Sequence, residues 1–122
     1  MGNTNRKPLP VRFKVVNMDK IVSCRCPCGQ TRRAFLDDPD RTASFHIVTI
    51  QKDSRVHYHK RLTEIYYILK GRGHLELDGK KVPVRAGTAV LIKPGCRHRA
   101  VGGIELINVP VPAFDPEDEW FD

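Results

Sequence analysis

The sequence predicts an all-β fold, a sandwich or a small closed barrel, and three observations predict it. Short segments rich in Val, Ile, Leu and Phe recur at close spacing from residue 43 to residue 109. Turn-forming residues separate them, at Gly71-Arg72-Gly73, Asp78-Gly79, Gly87, Pro94-Gly95 and Gly102-Gly103. No stretch carries the apolar period of a helix of usable length. At 122 residues the chain is one domain with room for a single core.

Taken in order, residues 1–10 are polar with two prolines and read as an arm. Val11 to Val16 alternates apolar Val11, Phe13 and Val15 with basic Arg12 and Lys14, the pattern of a half-buried strand. That strand would pair with its own barrel or with a neighbouring subunit. Residues 17–42 are irregular; Thr31 to Leu36 reads as a short helical turn and Asp37-Asp38-Pro39-Asp40 as a turn cluster. The barrel core is expected over 43–109. Phe45 to Ile50, Arg55 to His59 and Glu64 to Leu69 read as strands. A Gly71-Arg72-Gly73 turn leads to His74–Leu77, and Asp78-Gly79 is a tight hairpin signal before Lys81–Arg85. Ala89–Ile92, Arg97–Val101 and Ile104–Val109 complete the series. Residues 110–122 form a proline-containing acidic tail whose Trp120 and Phe121 are expected to dock on the barrel or on a partner subunit.

The chemistry-bearing residues cluster. His57 and His59 stand two apart, so in an extended strand both point the same way. Glu64 follows after a four-residue spacer long enough to turn the chain, and His98 follows the Pro94-Gly95 turn. His57, His59, Glu64 and His98 would make a three-nitrogen, one-oxygen set suited to a divalent transition metal. Residues in step with a ligand share its face, which selects Arg55 (with His57) and Tyr66 (with Glu64) as pocket-lining. Arg55 offers a fork for a carboxylate or phosphate, and Tyr66 a hydroxyl. Ile65, Tyr67 and Leu69, out of step with Glu64, form an apolar face for a second sheet or a second subunit, and a homodimer is expected. His46 and His74 lie in strands without a fixed face.

The same residues resemble the motifs of the cupin superfamily. His57-x-His59, four residues, Glu64, six residues and Gly71 match its first motif. Gly87 through Lys93-Pro94-Gly95, two residues and His98 is similar to its second. The chain departs at Gln51, Lys93 and Gly102, none of which is a ligand position. The resemblance covers about residues 43 to 109 and implies a jelly-roll barrel. It also implies one metal drawn from Fe, Mn, Zn or Ni, and either dioxygenase or isomerase/lyase chemistry. The alternative it leaves open is a non-catalytic small-molecule or metal-binding sensor, because a fold does not fix a function.

Composition bounds the partners. Net charge is +7, and the last eight residues carry five acids and no base, which leaves the body more basic still. A basic body favours a small anionic ligand. No recognition-helix pattern or aromatic-basic RNA signature is present, so no nucleic acid is expected. No run of about 18 apolar residues exists, and the first residues lack an apolar signal core. The expectation is a cytoplasmic protein without a membrane span. Cys24, Cys26, Cys28 and Cys96 then read as reduced thiols, the first three at spacings that do not suit a structural zinc site. No glycine elbow surrounds a serine and no glycine-rich phosphate loop occurs, which argues against a covalent serine mechanism.

Overall fold

The computed structural model describes residues 9–26, 29–51 and 53–122. The first eight residues of the expected arm, and Cys28, lie outside the described residues. Eight antiparallel strands are present among those described: β1 (Cys24–Cys26), β2 (Gly29–Ala34), β3 (Phe45–Ile50), β4 (Thr63–Leu77), β5 (Lys80–Arg85), β6 (Ala89–Ile92), β7 (His98–Val101) and β8 (Ile104–Val111). One sheet runs β1-β2-β3-β8-β4, with β6 on the other side of β4. The second sheet pairs the end of β4 with β5 and β7. Side chains alternate across each strand, and the inward set from both sheets forms the core. Ile50, Ile68, Ile92, Ile104 and Leu106 come from the first sheet, and Leu75, Val84 and Ala100 from the second.

β4 joins the two sheets. Its first half pairs with β6 and β8, and its second half with β5 and β7. The expected turn at Gly71-Arg72-Gly73 is absent: β4 runs straight through it. The glycines serve close approach instead. A Cβ on Gly71 would collide with the Gly103 carbonyl, and one on Gly73 with the Val101 carbonyl. The register also slips between Ile68 and Lys70, which bends the strand from one sheet to the other. Asp78-Gly79 does form the expected tight turn, with φ of 48° and 82°.

Three other expectations need correction. Of the two pairings expected for Val11 to Val16, the one with its own barrel is not formed; Val11, Phe13 and Val15 are 80%, 74% and 81% exposed and pair with no strand among the described residues. Alternation makes one apolar face, but a strand forms only where a neighbouring backbone pairs with it. Thr31 to Leu36 is not a helical turn; most of it belongs to β2, paired along its whole length with β3. Arg55 to His59 is extended but holds only isolated bridges, His57 to His98 and Tyr58 to Trp120. The outward face of β4 and β6, with Ile65, Tyr67 and Leu91, is exposed, so the second sheet does not cover it.

Candidate metal centre

Each of the four candidate side chains is placed by a separate backbone device. His57 pairs with His98 through two backbone hydrogen bonds, of 3.1 and 2.9 Å, which ties the loop to the start of β7. Extended backbone from 57 to 59 sends His57 and His59 to the same side. Tyr58 turns away and lies under the Arg97 guanidinium, 3.6 Å from its ring centroid. Glu64 is the second residue of β4 and points inward, 3% exposed.

The acidic tail completes the loop between the ligands. Asp118 is 2% exposed, and its carboxylate accepts from the backbone N–H groups of Lys60, Arg61 and Leu62 and from the Trp120 indole. Burial raises the Asp118 carboxyl, but these donors hold it below the ordinary value. Trp120 bridges to Tyr58, and Phe121 stacks under the Arg55 guanidinium at 4.4 Å. The tail is thus seated on the barrel rather than extended into solvent.

The hydrogen bonds at Nδ1 decide what the imidazoles offer. His59 Nδ1 lies 2.7 Å from the Asp118 carbonyl, His98 Nδ1 2.8 Å from the Cys96 carbonyl, and His57 Nδ1 3.1 Å from the Arg55 carbonyl. A carbonyl only accepts, so each Nδ1 carries the proton and each neutral ring presents an Nε2 lone pair. One nitrogen from each ring lies within 4.8 Å of the others. Glu64 Oε1 stands 3.1 Å from His59 Nε2 and 3.0 Å from His98 Nε2. Those three buried atoms have no other hydrogen-bond partner among the described residues.

Two imidazole lone pairs and a carboxylate oxygen cannot face one another at this distance without a cation between them. Without a metal, a proton serves. Burial lowers the His59 pKa, but Glu64 outweighs it and the net shift is upward. Burial likewise raises Glu64, and hydrogen bonds from His59 and His98 pull it well below the carboxylate range. His57 is pushed down by burial and by its neighbour His98, which favours the neutral, ligating form. A divalent metal would replace the proton. Adjacent ligands on a six-coordinate ion with bonds of about 2.1 Å are about 3.0 Å apart, the separation found here. The donor set and its spacing fit a transition metal.

Beside this cluster lies a cavity of about 320 Å³, the size of a small-molecule site. Arg55 and Tyr66 both line it. They differ in setting. Tyr66 is buried, edge-on to His98 at 6.1 Å between centroids. Arg55 is exposed at the rim, held by Phe121 and by a 3.4 Å contact to the Asp122 carbonyl. Sequence reasoning missed several groups here. Asn108 donates to Glu64 Oε2 at 2.6 Å, and Thr31, Arg33 and His46 also line the cavity. Cys26 also reaches the cavity, whereas Cys24 is exposed. Cys96 packs against the core and supplies the carbonyl for His98.

Comparison with known proteins agrees with this picture. A family model described as the cupin domain matches residues 46–102, the segment that holds all four candidate ligands. L-Ectoine synthase of Aliivibrio fischeri is 30% identical over 96 residues, 71% of this chain and 75% of its own. The chain belongs to the cupin superfamily. An uncharacterised protein of Methanocaldococcus jannaschii is 34% identical over 76 residues; the match spans 59% of this chain but only 61% of that one. Among solved structures, a protein from Planctomyces limnophilus superposes with a TM-score of 0.82 at 38% identity, covering 89% of this chain and 96% of that one. Pac13, a nucleoside dehydratase crystallised from Streptomyces, shares the cupin fold at a TM-score of 0.78 and 21% identity, over 90% of each chain. In this cupin no helix among the described residues is long and apolar enough to cross a membrane.

Proposed function

We propose that this cupin is a metal-dependent enzyme of the isomerase or lyase kind acting on a small anionic molecule. Its divalent metal is held by His57, His59, Glu64 and His98. The observation that carries the reading is the buried convergence of His59 Nε2 and His98 Nε2 on Glu64 Oε1 at 3.1 and 3.0 Å, with no other partner among the described residues. The bound ion would act as a Lewis acid on a carbonyl or hydroxyl oxygen. Four protein ligands on a six-coordinate ion such as Fe(II), Mn(II) or Ni(II) would leave two positions for substrate. The chain's own residues do the rest. Carbonyls of Arg55, Asp118 and Cys96 fix the ring orientations. Asn108 holds the second oxygen of Glu64. Proton-handling side chains, Tyr66 and His46, line the cavity next to the ligands, which favours proton transfer over oxygen chemistry. The named enzymes among the relatives and fold neighbours, an ectoine synthase and a dehydratase, support an enzymatic reading.

The test is elemental analysis of protein purified without chelator or nickel resin, then removal and return of each metal. The expected result is close to one transition metal per chain, lost in the His98→Ala protein. A metal-free protein that takes up none of the four ions overturns the proposal. A metal-loaded protein that consumes dioxygen with substrate moves it to the dioxygenase class, and tight metal with no turnover moves it to a binding module. We place the homodimer contact on the exposed Ile65, Tyr67 and Leu91 face. Light scattering of the Leu91→Lys protein checks it: a monomer where the parent is a dimer is expected.

A further inference from the structure

Beside the candidate ligand cluster and running away from it along the cavity, one row of side chains crosses four strands in register. Arg33 on β2 pairs with His46 on β3, His46 with Asn108 on β8, and Asn108 with Tyr66 on β4. All four line the cavity. The next inward position on β2 is Thr31. Register and alternation place these groups together, although they come from four separate parts of the chain.

The row is polar and incompletely satisfied. Arg33 Nε is buried without a hydrogen-bond partner, and so are Thr31 Oγ1 and Asn108 Oδ1. Thr31 is 2% and Asn108 8% exposed. Among the described residues no carboxylate lies within ion-pair distance of Arg33; its guanidinium rests over the Phe114 ring at 4.8 Å. Buried polar groups are nearly always paired, so several unpaired ones around one cavity indicate a ligand that completes them.

His46 sets the charge of this wall. The Phe114 N–H donates to Ser44 Oγ at 2.9 Å, so the Ser44 hydroxyl proton is free to donate to His46 Nε2 at 2.8 Å. With Ser44 as the donor, Nε2 is the acceptor and Nδ1 carries the proton. Burial, and then the charge of Arg33, lower the ring to about 4, so it is neutral near pH 7. One cation therefore stands on this wall, with neutral donors beside it. Arg55 is held at the rim by Phe121 and Asp122. A single guanidinium with neutral donors matches one negative charge on a planar group better than a phosphate dianion.

We infer that Arg33, with Thr31 and His46, forms a carboxylate-binding subsite that seats one end of a small monocarboxylate while its reacting end reaches the ligand cluster. This deepens the proposed function and rests on it for the reacting end only. Arg33, rather than Arg55, is the anchor, and Asn108 Oδ1 accepts from a hydroxyl or amino group between the two ends. The ligand class is a short hydroxy, amino or keto acid.

The test follows the arginine Nε–H resonances by ¹⁵N NMR during titration, in metal-loaded and metal-free protein. Lactate is the probe, lactamide its uncharged counterpart, and inorganic phosphate the rival anion. The expected result is a saturable shift of the Arg33 resonance with lactate and none with lactamide. Binding is expected to weaken tenfold or more in Arg33→Met and to return in part in Arg33→Lys. Both variants should keep the parent's metal content and melting temperature, since Arg33 has no ion-pair partner to lose. No shift of Arg33 at 50 mM lactate (about a fiftyfold excess over a Kd of about 1 mM) overturns the subsite. Equal response to lactamide, tighter phosphate binding, or unchanged affinity in Arg33→Met does so too. A protein that takes up no metal but still shows the Arg33 shift sinks the enzymatic reading and leaves the subsite standing.

Discussion

His59 and His98 in the candidate metal cluster and His46 on the polar row of the cavity are all more than nine-tenths buried, yet they leave opposite nitrogens available. Backbone carbonyls hold the Nδ1 protons of His59 and His98, so their Nε2 lone pairs converge on Glu64. A hydroxyl holds Nε2 of His46, so its proton sits on Nδ1. One wall is built of acceptors and calls for a cation. The other is built of donors and calls for an anion. The residue type is the same; what differs is the one atom that each ring is given to bond.

The largest effect should come from the acceptor wall. His59→Ala or His98→Ala is expected to lower metal affinity a hundredfold or more, about 2.7 kcal/mol, measured by dialysis against a chelating indicator. His46→Ala should leave it within a factor of about two or three, since His46 is not among the converging atoms. Metal affinity should also rise with pH through the range where His59 loses its proton, because the metal displaces that proton.

Next in size is Asp118. Asp118→Ala would strand three buried-side backbone N–H groups and the Trp120 indole, and free the loop that carries His59. A loss of about 2.5 kcal/mol in denaturant-measured stability is expected, with weaker metal binding alongside. Asp118→Asn should cost less, since its amide oxygen still accepts.

The donor wall gives a pH signature. His46 titrates near 6.5 when unfolded and near 4 when folded. The unfolded chain therefore binds the extra proton first, and stability falls as pH drops from 6.5 toward 4. The share from His46 is about 2 kcal/mol once cavity water is allowed for. In metal-free protein, His46→Gln should flatten that part of the stability curve, leaving the share from His57. The smallest effect expected is Ser44→Ala, about 1 kcal/mol. Its sharper readout is the His46 ring ¹⁵N spectrum, in which the proton should no longer be confined to Nδ1.

The acceptor wall was legible in the sequence, and the donor wall was not. His57 and His59 have the spacing of a shared face, and Glu64 and His98 each stand beside a chain reversal, so spacing alone brought the four candidate ligands together. The fold was legible for the same reason: apolar alternation and Asp78-Gly79 specify strands and a hairpin locally. Thr31 and Arg33 also stand two apart, but read as a helical turn they lose their common face. Only the pairing of β2 with β3 restores it. Glycine was ambiguous too. Gly71 and Gly73 signal a permissive backbone, and sequence does not tell a reversal from a place where two strands pinch together. Asp118 looked like one acid among five; its burial depends on the tail meeting residues 60–62, a contact between distant parts of the chain.

β4 is hydrogen-bonded to β5, β6, β7 and β8, and it passes from one sheet into the other. Opening β4 therefore strips a partner from β5, β6, β7 and β8 at once. Amide hydrogens at the middle of β4, around Ile68, should exchange with deuterium only when the entire molecule opens, and so report the global unfolding rate.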